Sequence, residues 1–408
     1  MSTLRILAVI VNLVPYHVAR WSAVSAAGHE VVVLQRRACD PFAVLATDSD
    51  QAPFELHTLA DPLASGLSWC EQLRAWIDSI NPHVLVINGY YFPESLAALL
   101  VATESSLPVV VCSESNRHDA PRNPWTEALK RRVLRHVQAA FVGGEQQAAY
   151  LQHLGLCPES IYRGYNAVDN DHFSSADYWR AQGDHLRKQL GLPGRYLLAV
   201  TRFTEKKNLH RLIEGYALWR SESADVWQQL SLLILGDGPL RGELESLILS
   251  LGLQQWVLMP GACPYAHLPS RYGLADAFIH ASTVEQWGLV VNEAMAAGLP
   301  VLVSATCGCA SELVQPGVTG YRFDPYSTVS IAASIRWLCQ LSDDATQRLS
   351  AASRFRVASY GPDAFAAGIS AASAYAMSAH RTSLSAIDRF LLQMLISRQK
   401  GQNYNHHH

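Results

Sequence analysis

Short runs of branched apolar residues alternate with helical patterns along nearly the whole chain, and this alternation restricts the fold more than any other feature. RILAVIV (5–11), EVVVL (30–34), VLVING (84–89), PVVVCS (108–113) and AAFVGG (139–144) lack a polar face. A strand of that kind must be covered on both sides, which is the condition of a parallel strand inside a sheet. Between the runs lie amphipathic stretches such as VARWSAVSAAG (18–28), ending in a C-cap glycine. A second series follows: YLLAVTR (196–202), LSLLILG (230–236), VLMPG (257–261), AFIHAS (277–282) and PVLVSA (300–305). Helical patterns such as NLHRLIEGYALWRSES (208–223) follow these strands in turn. Strand and helix alternating in two sets predict two doubly wound, Rossmann-like α/β domains. A chain of 408 residues also exceeds one ordinary core. The stretch from Asp169 to Arg195 is polar and strand-free, and reads as the domain junction.

Composition excludes more than it selects. A net charge of -3 offers no footprint for nucleic acid. The eight cysteines form no CxxC pair, and Cys307 with Cys309 makes an isolated CxC, so reduced thiols are expected. No segment reaches the roughly 18 uncharged apolar residues of a membrane span. The first strand follows MSTLR at once, with no charged-then-apolar run, so no leader is expected. The expectation is a cytoplasmic protein. The final HHH is read as a tag remnant and set aside. In doubly wound sheets ligands bind beyond the carboxyl ends of the strands, so a cleft between the two domains is the expected active site.

Two constellations lie at such strand ends. EQWGLVVNEAMAAGLPV (285–301) puts Glu285 in the loop after AFIHAS and Glu293 in the first or second turn of the next helix. Carboxylates are rarely buried without partners, and no lysine or arginine stands close in sequence. Partners must come from elsewhere in the fold or from a ligand. Gly288 would let backbone approach a ligand, with the N–H groups at the helix start suited to an anion. Glu293 by itself could equally complement the helix dipole. RFTEKKN (202–208) follows another strand and carries Arg202 and Lys207. At about 4 Å from a diphosphate each cation would contribute roughly 4 kcal/mol at an effective dielectric near 20. Lys206 reads as a solvated turn residue. DSD (48–50) and DND (169–171) suit turns rather than metal.

RFTEKKN, LGDGPL (235–240), the E-x7-E of EQWGLVVNE, EAMAAGLPV and CGCASELVQPGVTGYRFDP (307–325) occur in this order. Together they resemble the donor half of the retaining GT-B glycosyltransferases of family four. The likeness is strong over 196–325 and continues weakly in GYNAVDNDHF (164–173). It implies a GT-B architecture, two Rossmann-like domains facing across a cleft. The boundaries would be an acceptor domain at 1–168 and a nucleotide-sugar domain at 169–358. A helix at 359–378 would cross back to the first domain, and 379–408 would be a helical extension. By the same resemblance Arg202 and Lys207 bind the nucleotide diphosphate, Glu293 the ribose, and Glu285 lies near the donor sugar. The Gln286–Leu289 segment, with Trp287 and Gly288, would touch sugar or phosphate, and backbone near Gly261 the base. Both glutamates would then have hydroxyls as their partners. Catalysis would need neither metal nor bound cofactor.

The first half departs from the family. The glycine-rich loop expected after the first strand reads NLVPYHVAR, with Tyr16, His17 and Arg20 as candidates for acceptor or phosphate. His17 and Arg20 could also be a surface pair on a helix. In place of the family histidine after a later strand stand Glu114 and His118, with Arg117 and Arg122 able to bind a charged acceptor. A capped loop is the alternative there. RNPWTEALKRRVLRHVQ (122–138) is a basic helix that could lie on anionic lipid, though a solvated face is commoner. SAIDRFLLQMLIS (385–397) is expected to pack on the body or on a second subunit. The resemblance implies hexosyl transfer from a nucleotide-diphosphate sugar to an unidentified acceptor, by a monomer or homodimer. A sugar-nucleotide epimerase of the same fold, or a non-catalytic binding subunit, are the rival readings.

Overall fold

The computed structural model describes residues 3–37, 52–60, 68–222 and 229–398. The chain divides into two units, one of residues Met1–Asn166 with Pro362–His408, the other Ala167–Gly361. The first unit holds β1 (Arg5–Asn12), β2 (Glu30–Arg37), β3 (Glu55–Thr58), β4 (Val84–Asn88), β5 (Val109–Ser113), β6 (Ala139–Val142) and β7 (Ile161–Arg163). The second holds β8 (Arg195–Val200), β9 (Leu230–Leu235), β10 (Val257–Gly261), β11 (Ala277–His280), β12 (Val301–Ser304) and β13 (Gly320–Phe323).

Both sheets are parallel and doubly wound. Their orders are β3-β2-β1-β4-β5-β6-β7 and β10-β9-β8-β11-β12-β13. In the first the winding reverses between β1 and β4, where Ile6 pairs with Val84. In the second it reverses between β8 and β11, where Ala277 pairs with Leu197. At such a switch point the connections leave in opposite directions and open a crevice past the strand ends.

The apolar runs fill these sheets because neither face is wet. In the second unit Leu198, Leu233, Phe278 and Val301 belong to one core cluster, while Leu197, Leu232, Ile279 and Leu302 belong to another. Successive residues of one strand thus feed opposite layers, as the two-residue period of a strand requires. In the first unit the helix Pro93–Glu104 is buried through most of its length, from Pro93 to Ala102. Proline opens that helix, and also Pro15–Ala26 and Pro124–Leu134, where its missing N–H costs nothing.

Two expectations are corrected. The segment from Asp169 to Arg195 is not a junction: it forms the helices Asn170–Ser174 and Ala176–Gln189 inside the second unit, with Phe173 and Ala176 in its core. The polar residues there are the outer face of packed helices. Three strands, β3, β7 and β13, add to those the apolar runs foretold, and each stands at a sheet edge. The helix Pro362–Ser378 belongs to the first unit, where Phe365 lies edge-on to Trp21 at 5.5 Å and Ser370 Oγ meets His29 Nε2 at 2.9 Å. The helix Ala386–Arg398 follows and sets Leu392 and Ile396 into that unit's core.

Candidate functional site

In the second unit the loops leaving β8 and β11 meet at the switch point. After β8 comes Arg202, then a single helical turn, Glu205–Lys207. Asn208 ends it in the left-handed region, φ 57°, which asparagine tolerates better than most residues. Its amide nitrogen donates to Ala281 O at 3.1 Å and Pro325 O at 2.7 Å. Asn208 thus ties RFTEKKN to the loop after β11, and Lys207 arrives against Glu285.

The Lys207 ammonium pairs with Glu285 Oε2, the two side chains being 12% and 16% exposed. The same oxygen lies 3.2 Å from His280 Nε2 and 3.2 Å from Ser282 Oγ. Burial alone would raise the Glu285 carboxyl, but the Lys207 charge and the His280 hydrogen bond outweigh it and hold the group well below the usual carboxylate range. Burial would likewise depress His280, yet its hydrogen bonds to Cys307 and Glu285 raise it. A proton on Nε2 serves both groups, as a donor aimed at an ionised carboxylate.

Glu293 lies in the second turn of the helix Leu289–Ala296 and is buried. Tyr272 Oη donates to its Oε2 at 2.8 Å. Burial pushes this carboxyl up to about 7, and the tyrosine offsets part of that. A group so enclosed is not a surface acid serving a helix dipole. The two glutamates therefore find partners inside the fold, Lys207 with His280 and Ser282 for one and Tyr272 for the other. The expected partners of the two glutamates were hydroxyls of a ligand; side chains of the fold take that place here.

Gly288 caps the same helix at φ 99°, and a Cβ there would lie 2.9 Å from Cys307 Sγ. Trp287 is a core residue: its indole N–H donates to Asn292 Oδ1 at 2.9 Å and its ring packs on Tyr360 at 5.4 Å. The Trp287 carbonyl accepts from Cys309 N at 3.0 Å, and the Glu285 carbonyl from Gly308 N at 3.1 Å. The CGC loop thus fixes the backbone from Glu285 through Gln286 to Leu289. The Cys307 and Cys309 sulfurs are 3.6 Å apart, hydrogen-bonded as thiols and not joined as a disulfide. Gly261 ends β10 at φ 109° and accepts from Gly236 N at 2.9 Å. Nearby Tyr265 stacks on His172 at 4.4 Å.

In the first unit the residues past β1 and β5 form a second group. His17 and Arg20 are not a surface pair: they are 7% and 1% exposed. His17 Nδ1 meets Asn12 O at 3.1 Å. Burial, helped by the Arg20 charge, brings His17 down to about 3, so its ring is neutral. The Arg20 guanidinium lies over Tyr16 at 4.7 Å and Tyr165 at 4.9 Å. His17 and Arg20 line a small cavity with Asn88 and Cys112. Glu114 Oε1 accepts from Asn166 Nδ2 at 2.6 Å. Arg117 and His118 are exposed, on a loop closed by Arg122, Asn116 and Asp119.

Asp169 caps the helix after it, accepting from His172 N at 3.0 Å, which is the turn chemistry expected of DND. DSD (48–50) lies outside the described residues. Among the described residues no cluster of three His, Cys, Asp or Glu is placed to hold a metal ion. Sequence reasoning missed His280, Ser282 and Tyr272. The first two sit within AFIHAS, whose apolar pattern identified a strand, although a histidine ending a strand beside the Glu285 loop was a signal.

Residues 184–355 match the family of glycosyl transferases group 1, and residues 14–162 match the glycosyl transferase 4-like domain. The chain is 25% identical over 258 residues to alpha-D-kanosaminyltransferase of Streptomyces kanamyceticus, covering 61% of this chain and 64% of that protein. It is 28% identical over 250 residues to 2-deoxystreptamine glucosyltransferase of the same organism, covering 59% and 63%. The chain thus spans just under two thirds of these relatives. Among solved structures, a glycosyltransferase from Rickettsia africae superposes with a TM-score of 0.75 at 16% identity, covering 93% of this chain and all of that one. HepE of Anabaena, solved with UDP and glucose, gives 0.70 at 18% identity, covering 90% and 98%.

Proposed function

Because the chain belongs to the glycosyl transferases group 1 and its two Rossmann-like units are those of the GT-B fold, we propose that it moves a hexose-type sugar from a nucleoside diphosphate to an acceptor hydroxyl, with retention and without a metal. The observation that carries this reading is the convergence of Lys207, His280 and Ser282 on one oxygen of Glu285, at the switch point of the second sheet. The likeness to HepE, solved with UDP and glucose, supports a nucleotide sugar as donor.

Each group then has a task. Breaking a sugar–phosphate bond places negative charge on the departing diphosphate, which fixed cations stabilise. Arg202 faces that charge. Lys207, whose ammonium has three donors, shares it while keeping Glu285 ionised. The ionised Glu285 accepts from sugar hydroxyls, and His280 holds it in orientation. Glu293 accepts from the ribose hydroxyls, a contact that favours its charged form. The N–H groups after Gly288 suit phosphate or sugar oxygens. The acceptor attacks the face the diphosphate leaves, and a phosphate oxygen takes its proton. In the first unit Tyr16, His17 and Arg20, with Arg117, Glu114 and His118 beyond, would hold the acceptor. A neutral His17 would do so by hydrogen bonding rather than by charge. The reaction would run in the cytoplasm.

The test begins with nucleoside diphosphates in a thermal-shift screen, where a ligand at 100 times its Kd adds about 2.7 kcal/mol. With the donor identified, Arg202→Ala should lower turnover by up to about a thousandfold, the equivalent of roughly 4 kcal/mol. Unchanged turnover would remove Arg202 from the diphosphate. Conversion of the donor to an isomer without acceptor would replace transfer by epimerisation.

A further inference from the structure

The CGC loop carries two sulfurs that sugar transfer does not use. Cys307 and Cys309 are both fully buried, and their Sγ atoms lie 3.6 Å apart with only Gly308 between them in sequence. The two are not equivalent. Burial opposes ionisation of Cys307, but hydrogen bonds with Cys309 and His280 outweigh it and bring that thiol below its ordinary value. Burial and the neighbouring Cys307 raise Cys309 well above its own. One sulfur is thus the readier nucleophile, as its thiolate, while its partner keeps a proton, which is the asymmetry of a reactive dithiol. The pair begins directly after the exposed Ala305 and Thr306, so a small oxidant needs only a local opening of that loop.

Joining the sulfurs would have a mechanical consequence. Cys307 forms a β-bridge with Glu285, Gly308 N donates to Glu285 O at 3.1 Å, and Cys309 N donates to Trp287 O at 3.0 Å. Cys307 Sγ also donates to Trp287 O at 2.9 Å, a bond that a disulfide sulfur, having no proton, does not make. A Cβ on Gly308 would lie 1.9 Å from Gln286 O, so the turn is pressed against the Glu285 loop without slack. Drawing the sulfurs from 3.6 Å to the roughly 2 Å of a bond therefore displaces that loop, and with it Glu285 and the start of the helix at Leu289.

We propose that Cys307 and Cys309 are a reversible redox pair: a peroxide joins them in a disulfide, which displaces the Glu285 loop and weakens donor binding until a dithiol reopens it. The Cys307 thiolate attacks a peroxide oxygen, the O–O bond breaks, and hydroxide leaves with a sulfenic acid formed on Cys307. The Cys309 sulfur then attacks the sulfenic sulfur, the S–S bond forms, and the hydroxyl departs with the Cys309 proton as water. The first hydroxide takes the proton that Cys307 gave up, so two thiols and one hydrogen peroxide yield one disulfide and two waters. A dithiol returns both sulfurs to thiols by exchange and becomes the disulfide itself. The effect on donor binding rests on the reading of this site as the donor site, whereas the chemistry of the pair does not.

The test treats the reduced full chain with hydrogen peroxide and follows by mass spectrometry the tryptic peptide 272–322, whose only cysteines are these two. The peptide should become lighter by two hydrogens and regain them in dithiothreitol. Amide exchange across 285–289 should quicken in the oxidised protein. Its affinity for the nucleoside diphosphate that the reduced protein binds best should fall about tenfold or more. Cys309→Ser should instead gain oxygen on Cys307, and Cys307→Ser should show neither change; should either variant fail to fold, the wild-type measurements decide. The proposal is overturned if the peptide keeps its mass at a peroxide level that oxidises the exposed Cys157, or gains oxygen without closing. It is overturned equally by closure that leaves amide exchange or nucleotide affinity as it was. A reduced protein that binds no nucleoside diphosphate would sink the donor reading alone, and the mass change with the exchange would still decide the redox pair.

Discussion

Removing the Lys207 ammonium tests the centre of the site without needing a substrate. Glu285 is held low by a charge that outweighs its burial, with both side chains largely enclosed. Lys207→Ala deletes that charge and leaves a carboxylate whose main remaining influence is desolvation. Breaking a buried pair from one side costs about 3–5 kcal/mol. For a unit of this size that is a fall of about 6–20 °C in melting temperature. The pH dependence has a definite sign. In the wild type the depressed carboxyl contributes stability above its ordinary range, lost only as pH falls through the depressed value. In the variant desolvation is opposed only by His280 and Ser282, so the carboxyl moves upward, and the variant's deficit is greatest near neutral pH and shrinks as pH falls. Lys207→Ala/Glu285→Gln should recover most of the loss, because no buried charge remains. Melting curves of the four members of this double-mutant cycle between pH 5 and 8 are the assay. A deficit that does not vary with pH, or a double variant no better than the single one, would refute the account.

Glu293→Gln should behave in the opposite sense. With its folded value near 7 and an ordinary value of 4.5, Glu293 costs stability as pH rises through that window, so the variant should gain up to about 3 kcal/mol at pH 8 and about 1 kcal/mol or less at pH 5. It should also bind a nucleoside diphosphate more weakly, which calorimetry would measure. Gly288→Ala should cost about 1–3 kcal/mol, since the residue combines φ 99° with contact to Cys307 Sγ, and thermal melting at neutral pH would register it. His17, held near 3, withholds a proton that the unfolded chain accepts below about 6.5. Wild-type stability should therefore fall by about 1.4 kcal/mol per pH unit below that point, a slope that His17→Gln should remove from acid unfolding curves.

The interior strands were legible because burial on both faces leaves no polar position in them. β3 reads ELHT, β7 IYR and β13 GYRF, each with a side toward solvent, so none leaves an apolar run to detect. The site was half legible for a similar reason. Glu285 and Glu293 stood out as acids in an apolar stretch, and Arg202 with Lys207 as cations past a strand. The pairing of Lys207 with Glu285 joins residues 78 apart in sequence, and only the order of the sheet brings β8 beside β11. His280 was hidden because one residue both ends a strand and faces the carboxylate. In the first unit nothing in NLVPYHVAR says that Arg20 is enclosed by aromatic rings, since Tyr165 and Phe365 come from distant segments.

The helix Pro362–Ser378 has a bearing on biosynthesis. It covers Trp21 and His29, so the first unit is completed only once Pro362–Ser378 has left the ribosome. The later-made unit, Ala167–Gly361, is contiguous and can fold first. A nascent chain would carry an open sheet until that helix emerges, and termination before Pro362 would release one complete lobe attached to an unfinished one.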